Sequence, residues 1–186
     1  MICREAPVGV RIRWLFQDEA RFGRISDQRR CWAPLPVRPI VGQQIIREYL
    51  YAFMAVSPVD GMSTGLILPW SDTTTMSIFL QHIADTFQSD YCVLFMDRAA
   101  WHCAGELKIP DNIRIEFLPA YSPELNPVEH IWDHVRENHF GNDVFPSLEA
   151  VEQRLCIGLR DCIERPDLMQ SMTFFPWMNT LRMTLN

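Results

Sequence analysis

Leu118-Pro119-Ala120-Tyr121-Ser122-Pro123-Glu124-Leu125-Asn126-Pro127-Val128-Glu129-His130-Ile131-Trp132 is the stretch that decides how this chain reads. It closes a strand-like run, Ile113 to Leu118, passes through a rigid proline-rich loop and opens a helix. Asn126 is a favoured N-cap type, and Pro127 suits the first helical position, where its missing N–H is not needed. Val128, Ile131, Trp132 and Val135 then recur at helical spacing as a buried face. The first turn of that helix carries Glu129. Two further acids, Asp18 and Asp97, each stand at the end of an apolar, strand-like run. Three carboxylates on strand and helix ends are the donor set of a two-metal phosphoryl-transfer site.

Working outward, Cys92-Val93-Leu94-Phe95-Met96 is apolar without alternation, as expected of a central strand covered on both faces. Thr73 to Phe87 is a helix, capped by Asp72 or Thr73, with Met76, Phe79, Leu80, Ile83 and Phe87 as its apolar stripe. Val10 to Phe16 reads as a first strand delivering Asp18. Residues 20–44 read as irregular. Arg47 to Val56 and Met62 to Leu68 form a hairpin around Pro58-Val59-Asp60-Gly61. A last long helix runs from about Leu148 to Glu164, between Ser147 and Pro166. Three antiparallel strands followed by parallel crossover strands predict an α/β fold: a mixed sheet with helices on both faces.

At 186 residues, with no repeat, low-complexity tract or linker, one domain is expected, its core over about 10–165. An apolar content of 48% and a mean hydropathy of −0.06 fit a globular chain. No stretch reaches the ~18 apolar residues of a membrane span, and the N-terminus does not read as a signal peptide. The six cysteines lack C-x-x-C spacing and read as buried thiols of a reducing cytosol. A metal role for His102-Cys103 finds no partner motif. The net charge is −6, yet residues 1–50 hold nine of the seventeen basic residues against five of the twenty-three acids. That arginine-rich segment suits a phosphate backbone, although on charge alone a solvated face is the better reading.

Each acid also has a plainer reading. Asp18 could be a turn acid, and alternation along a strand allows only one of Asp18 and Glu19 to face a given site. Asp97 sits where parallel sheets place their chemistry, or caps Ala99-Ala100-Trp101-His102. Asn126-Pro127-Val128-Glu129 has capping-box spacing, so Glu129 could reach back to the Asn126 amide. His102 suits a structural or supporting hydrogen-bonding role, and Trp101 and Trp132 suit the core.

Four motifs in order narrow these choices. Gln17 to Gly23, Arg30-Cys31-Trp32-Ala33-Pro34 with Arg38-Pro39, Met96 to His102, and Leu118 to Trp132 together resemble the DDE transposases of the mariner-like superfamily, in the bacterial insertion-sequence branch. The resemblance covers roughly residues 10 to 165. It implies a ribonuclease H-like fold in which Asp18, Asp97 and Glu129 are the catalytic acids and metal ligands. It implies two Mg2+ ions about 3.5–4 Å apart, with Mn2+ substituting, for DNA strand cleavage and 3′-OH strand transfer at transposon ends. Arg21, Arg98, His102 and Asn126 become candidates for DNA contact or for support of the acids.

The implied partners are transposon-end and target DNA, a second copy in a synaptic complex, and a separate helix-turn-helix protein, since nothing here matches the DNA-reading region of full-length relatives. The implied location is the bacterial cytoplasm and nucleoid, away from membranes. Arg98 departs from the family pattern, which commonly has a small or amide residue after the second acid. Three alternatives remain at this point: a catalytically silent fragment that regulates by dimerising, a ribonuclease H-like nuclease without strand transfer, and a structural interaction domain whose acids are caps and turns.

Overall fold

The computed structural model describes residue 7, residues 9–99, residue 102 and residues 105–179. Five strands form one sheet: β1 (Arg11–Ile25), β2 (Ile45–Val56), β3 (Ser63–Leu68), β4 (Asp90–Met96) and β5 (Ile113–Phe117), in the order β3-β2-β1-β4-β5. The first three are antiparallel, and β4 and β5 add in parallel beside β1. Helix α1 (Thr73–Thr86) makes the crossover from β3 to β4. Helices α2 (Val128–Val135), α3 (Leu148–Ile163) and α4 (Pro166–Thr173) follow the sheet. This is the mixed sheet expected from the element order.

Alternation along β1 sorts the two faces. Leu15 packs with Phe53, Leu94, Met96 and the α1 stripe of Met76, Phe79, Leu80 and Ile83. Phe16, Ala20 and Phe22 face the other way, onto Ile131, Trp132 and Val135 of α2 and Val151, Leu155 and Leu159 of α3. Burying each large apolar side chain is worth about 1.5–3 kcal/mol, so both helical layers are held by substantial burial.

The first strand departs from expectation. It does not end near Asp18 but continues to Ile25, so Asp18 lies within a strand and residues 20–25 are not irregular. Glu19-Ala20-Arg21-Phe22 alternates polar and apolar, and Ala20 and Phe22 are buried, which is all a strand with one wet side requires. Asp18 pairs with Met54 on β2, whereas the pairing of β1 with β4 stops at Phe16 and Phe95. The register shifts between Gly23 and Ile25. A Cβ at Gly23 would lie 2.2 Å from the Glu48 carbonyl oxygen, so glycine permits the close approach.

Smaller differences follow local chemistry. Asp72, not Thr73, caps α1, in a reciprocal pair of bonds with Thr75. Pro166 does not merely follow the last long helix; it opens α4, as proline can at a helix start. Residues Arg136–Phe140 continue α2 as a π-helical turn. The described cysteines are free, but only Cys92 and Cys162 are buried, their thiols pushed up to about 12 by burial; Cys31 and Cys156 are exposed. Trp101 and Cys103 lie outside the described residues. No helix among the described residues is long and apolar enough to cross a membrane.

Candidate active site

Three elements converge at the carboxyl end of β4. Beyond Met96 the chain turns at Asp97, whose Oδ1 accepts from the Ala99 backbone N–H at 3.0 Å. Asp97 therefore caps the segment after it and still faces outward, 60% exposed. Beside it, β1 carries Asp18 past the end of β4. The proline-rich loop then brings in α2 with Glu129. Asp18, Asp97, Arg98, Asn126 and Glu129 line one cleft of about 400 Å³, with Leu118, Pro119 and Tyr121 among its walls. Tyr121 has a φ of 58° and is fully exposed at this loop.

Asn126 fixes the geometry between β1 and α2. It is 5% exposed; its side-chain Nδ2 donates to the Gln17 carbonyl at 3.0 Å, and its Oδ1 accepts from Val128 N–H at 3.3 Å. Because β4 has already ended, Asn126 takes the place of a further strand residue beside β1. Its own N–H donates to the Pro123 carbonyl at 2.9 Å, so the box bond from Glu129 back to that amide is not made. Glu129 is exposed to the cleft instead.

Asp18 is held from behind by α2. Trp132 is buried, yet its indole Nε1–H reaches Asp18 Oδ2 at 2.8 Å. Burial, followed by the charge of Glu129, pushes Asp18 up to about 7, against the Trp132 hydrogen bond; Glu19 and Asp97 add to the rise. The sequence reading of Trp132 as core is correct but incomplete. A buried indole usually finds an acceptor, and that tendency was the available signal.

On the opposite face of β1, Glu19 has its own partner. His102 is buried; its Nε2 lies 2.8 Å from Glu19 Oε1 and its Nδ1 lies 2.8 Å from Asp97 Oδ1. Burial opposes a charge on the ring, but the bonds to Asp97 and Glu19 outweigh it and push His102 up to about 10. The bond from His102 in turn holds Asp97 below the usual carboxylate range, against burial and with help from Ala99. His102 thus stands behind Asp97 rather than in the cleft, and Glu19 is the residue sequence reasoning passed over. Arg98 lines the cleft, its Cζ 5.7 Å from the Phe117 ring centroid. Arg21 does not line it; its guanidinium lies 4.4 Å from the Tyr49 ring.

The donors of the cleft are hard carboxylate oxygens, which match Mg2+ or Mn2+ rather than a thiophilic metal. Their mutual repulsion, which adds to the rise that burial causes at Asp18, is what a bound cation relieves. Among the described residues, no three His, Cys, Asp or Glu side chains converge closely enough to enclose an ion by themselves. Mg2+ commonly takes only one or two carboxylates and completes its shell with water and substrate phosphate, so this set fits.

The family described as DDE superfamily endonuclease matches residues 13–152. An uncharacterized protein of Sinorhizobium fredii (strain NGR234) is 36% identical over 130 residues, covering 69% of this chain and 96% of that protein. Among solved structures, a pre-cleavage Mos1 transpososome superposes with a TM-score of 0.59 at 13% identity, over 88% of this chain and 56% of that one. The Mos1 paired-end complex with the left transposon end gives 0.56 at 15%, and that with Mn gives 0.55 at 16%, with the same coverage. At these identities the likeness is one of fold, ribonuclease H-like, and the chain spans a little over half of those Mos1 chains.

Proposed function

The chain belongs to the DDE superfamily of endonucleases, and from that premise we propose that it is a transposase catalytic domain, cutting DNA at transposon ends and joining the freed 3′-OH to target DNA. The observation that carries the reading is the cleft itself: Asp18, Asp97 and Glu129, from β1, the end of β4 and α2, line one opening.

Asp18, Asp97 and Glu129 would hold two Mg2+ ions, for which Mn2+ would substitute; the ions would supply Lewis-acid activation of the attacking water or 3′-hydroxyl and offset charge at the phosphate. The chain's own residues set the geometry. Trp132 fixes one oxygen of Asp18, His102 fixes one oxygen of Asp97, and Asn126 fixes the start of the helix that bears Glu129. Arg98, at the cleft wall, supplies a cation to a bound phosphodiester. Attack is in line and uses no protein nucleophile. DNA is the substrate, and two copies act together in a synaptic complex.

The test has two arms. Mn2+ binding by isothermal titration, on wild type and Asp97→Asn, asks whether the carboxylates form a cation site. Cleavage of supercoiled plasmid, and joining of a pre-cut duplex bearing the element's terminal sequence, ask for the chemistry. Asp97→Asn keeps an acceptor for Ala99 and His102, so it should fold normally and lose metal-dependent cleavage. A variant that still cleaves refutes the assignment. Cleavage without joining points to a nuclease lacking strand transfer, and absence of both activities points to a silent regulatory fragment.

A further inference from the structure

Beyond Asp18, β1 leads to a second cleft of about 410 Å³. Phe22, Asp27 and Arg29 line it, together with Arg136, Phe140 and Phe145. The Cζ of Arg136 stands 5.3 Å from the Phe22 ring centroid. Three acids around this opening are already paired with other arginines: Asp27 with Arg29 at 2.9 Å, Asp143 with Arg154 at 2.9 Å and Glu48 with Arg24 at 2.8 Å; Asp133, three positions before Arg136 in the chain, acts on Arg29. Glu137 lies 3.8 Å from Arg29. Arg136 is half-buried, and among the described residues it has an aromatic ring and no carboxylate.

A partly desolvated cation without a counter-ion is unfavourable, and stacking on a ring offsets only part of the loss. The backbone beneath it is also irregular. Arg136 begins the π-helical turn that continues α2, a form frequent at functional sites. At its end Phe140 packs against Phe22, with ring centroids 4.9 Å apart.

The cleft is in register with the acids. Asp18 and Phe22 are four positions apart on β1 and so face the same side of the sheet. At about 3.3 Å per residue they are roughly 13 Å apart. A nucleic-acid strand advances about 3.4 Å per nucleotide, so this offset is roughly four nucleotides. The guanidinium fork suits a phosphate oxygen pair, and an aromatic partner leaves its N–H edges available.

We propose that this cleft is a phosphodiester-binding site for the DNA backbone, with Arg136 as its charged contact, holding the strand roughly four nucleotides from the phosphate at Asp18. The inference rests on reading the Asp18 cleft as a DNA-cutting centre. Each phosphate contact contributes about 0.9 to the slope of log K against log salt.

The experiment is fluorescence anisotropy of the full chain with a 5′-fluorescein-labelled DNA duplex of about 30 bp, in EDTA, across salt concentrations. Arg136→Gln should reduce the magnitude of the salt slope by about 0.9 and weaken binding alike for unrelated sequences. Arg136→Lys should keep the slope. Arg160→Gln, which removes an exposed charge on α3, should leave it unchanged. If Arg136→Gln fails to fold, Arg136→Met, which keeps the contact with Phe22, gives the same reading. An unaltered slope at Arg136, an equal fall at Arg160, or no DNA binding by the wild type overturns the proposal. Because binding is read without divalent metal, an inert protein whose slope still falls at Arg136 fails only the cleavage reading.

Discussion

Replacing Asn126 with alanine removes two bonds at once, and both lie in the interior. The Gln17 carbonyl loses its donor at 3.0 Å and the Val128 N–H loses its acceptor at 3.3 Å. A buried polar group left without a partner costs about 1–3 kcal/mol, and the change leaves the Gln17 carbonyl and the Val128 N–H in that state. The two share one side chain and are not fully additive, so the expected loss is roughly 2–4 kcal/mol. For a domain of this size, each kcal/mol lowers Tm by about 2–4 °C, giving a fall of roughly 5–15 °C. Urea and thermal unfolding followed by circular dichroism measure it. Asn126→Asp keeps an acceptor for Val128 but sets a second acceptor against the Gln17 carbonyl, so it should be no better than alanine. Glu129 is three residues further on; at temperatures where the variant stays folded, cleavage should also fall, by up to about 10²-fold if the acid shifts by 1 Å. A stability loss below about 0.5 kcal/mol would refute the view that Asn126 splices α2 onto β1.

His102→Ala should cost about 3–5 kcal/mol, because it strips the buried carboxylate of Glu19 of its 2.8 Å cationic partner; a urea-derived loss under about 1 kcal/mol would contradict that pairing. At the other end of the sheet, Asp60 bonds Arg13 at 2.9 Å, and although burial acts against it, Ser57 and Arg13 hold its carboxyl below the usual range. A depressed folded-state pKa gives stability that is complete above the unfolded value, near pH 4, and is lost as pH falls through the folded value. The stability gap between wild type and Asp60→Asn should therefore narrow as pH drops below about 4, and a gap that stays constant or widens there would count against the ion pair.

Much of the framework was legible because its signals are local. The apolar run before Asp97, the stripe on α1 and the spacing of Val128, Ile131, Trp132 and Val135 each report a buried face within one element. The length of β1 was not legible, because two adjacent acids and Gly23 break the apolar run, whereas a strand with one wet side needs only alternate positions buried. The π-helical turn was hidden for a related reason. Arg136-Glu137-Asn138-His139 carries no apolar period, and the turn ends at Phe140, which packs on Phe145 and on Phe22 from a distant part of the chain. The bond between His102 and Glu19 joins residues 83 apart in the chain, a pairing that only the assembled fold creates.

The extended β1 changes the physical account of the site. An acid on a loop after a strand would owe its position to that loop alone. Asp18 instead sits in a continuous strand, laddered to Met54 on one side and deprived of β4 on the other. The vacated side is where the helix start enters, with Asn126 bonded to the Gln17 carbonyl and Trp132 bonded to Asp18. One missing strand neighbour therefore both opens the cleft and provides the backbone acceptor that docks α2 beside it. Asp97 is fixed by an independent route, through Ala99 and His102, to the opposite face of the same strand at Glu19. Both anchors end on adjacent residues of β1, so a distortion of the strand at Gln17 to Glu19 should disturb all three acids together, while a change on α2 or in the loop after β4 should disturb its own acid first.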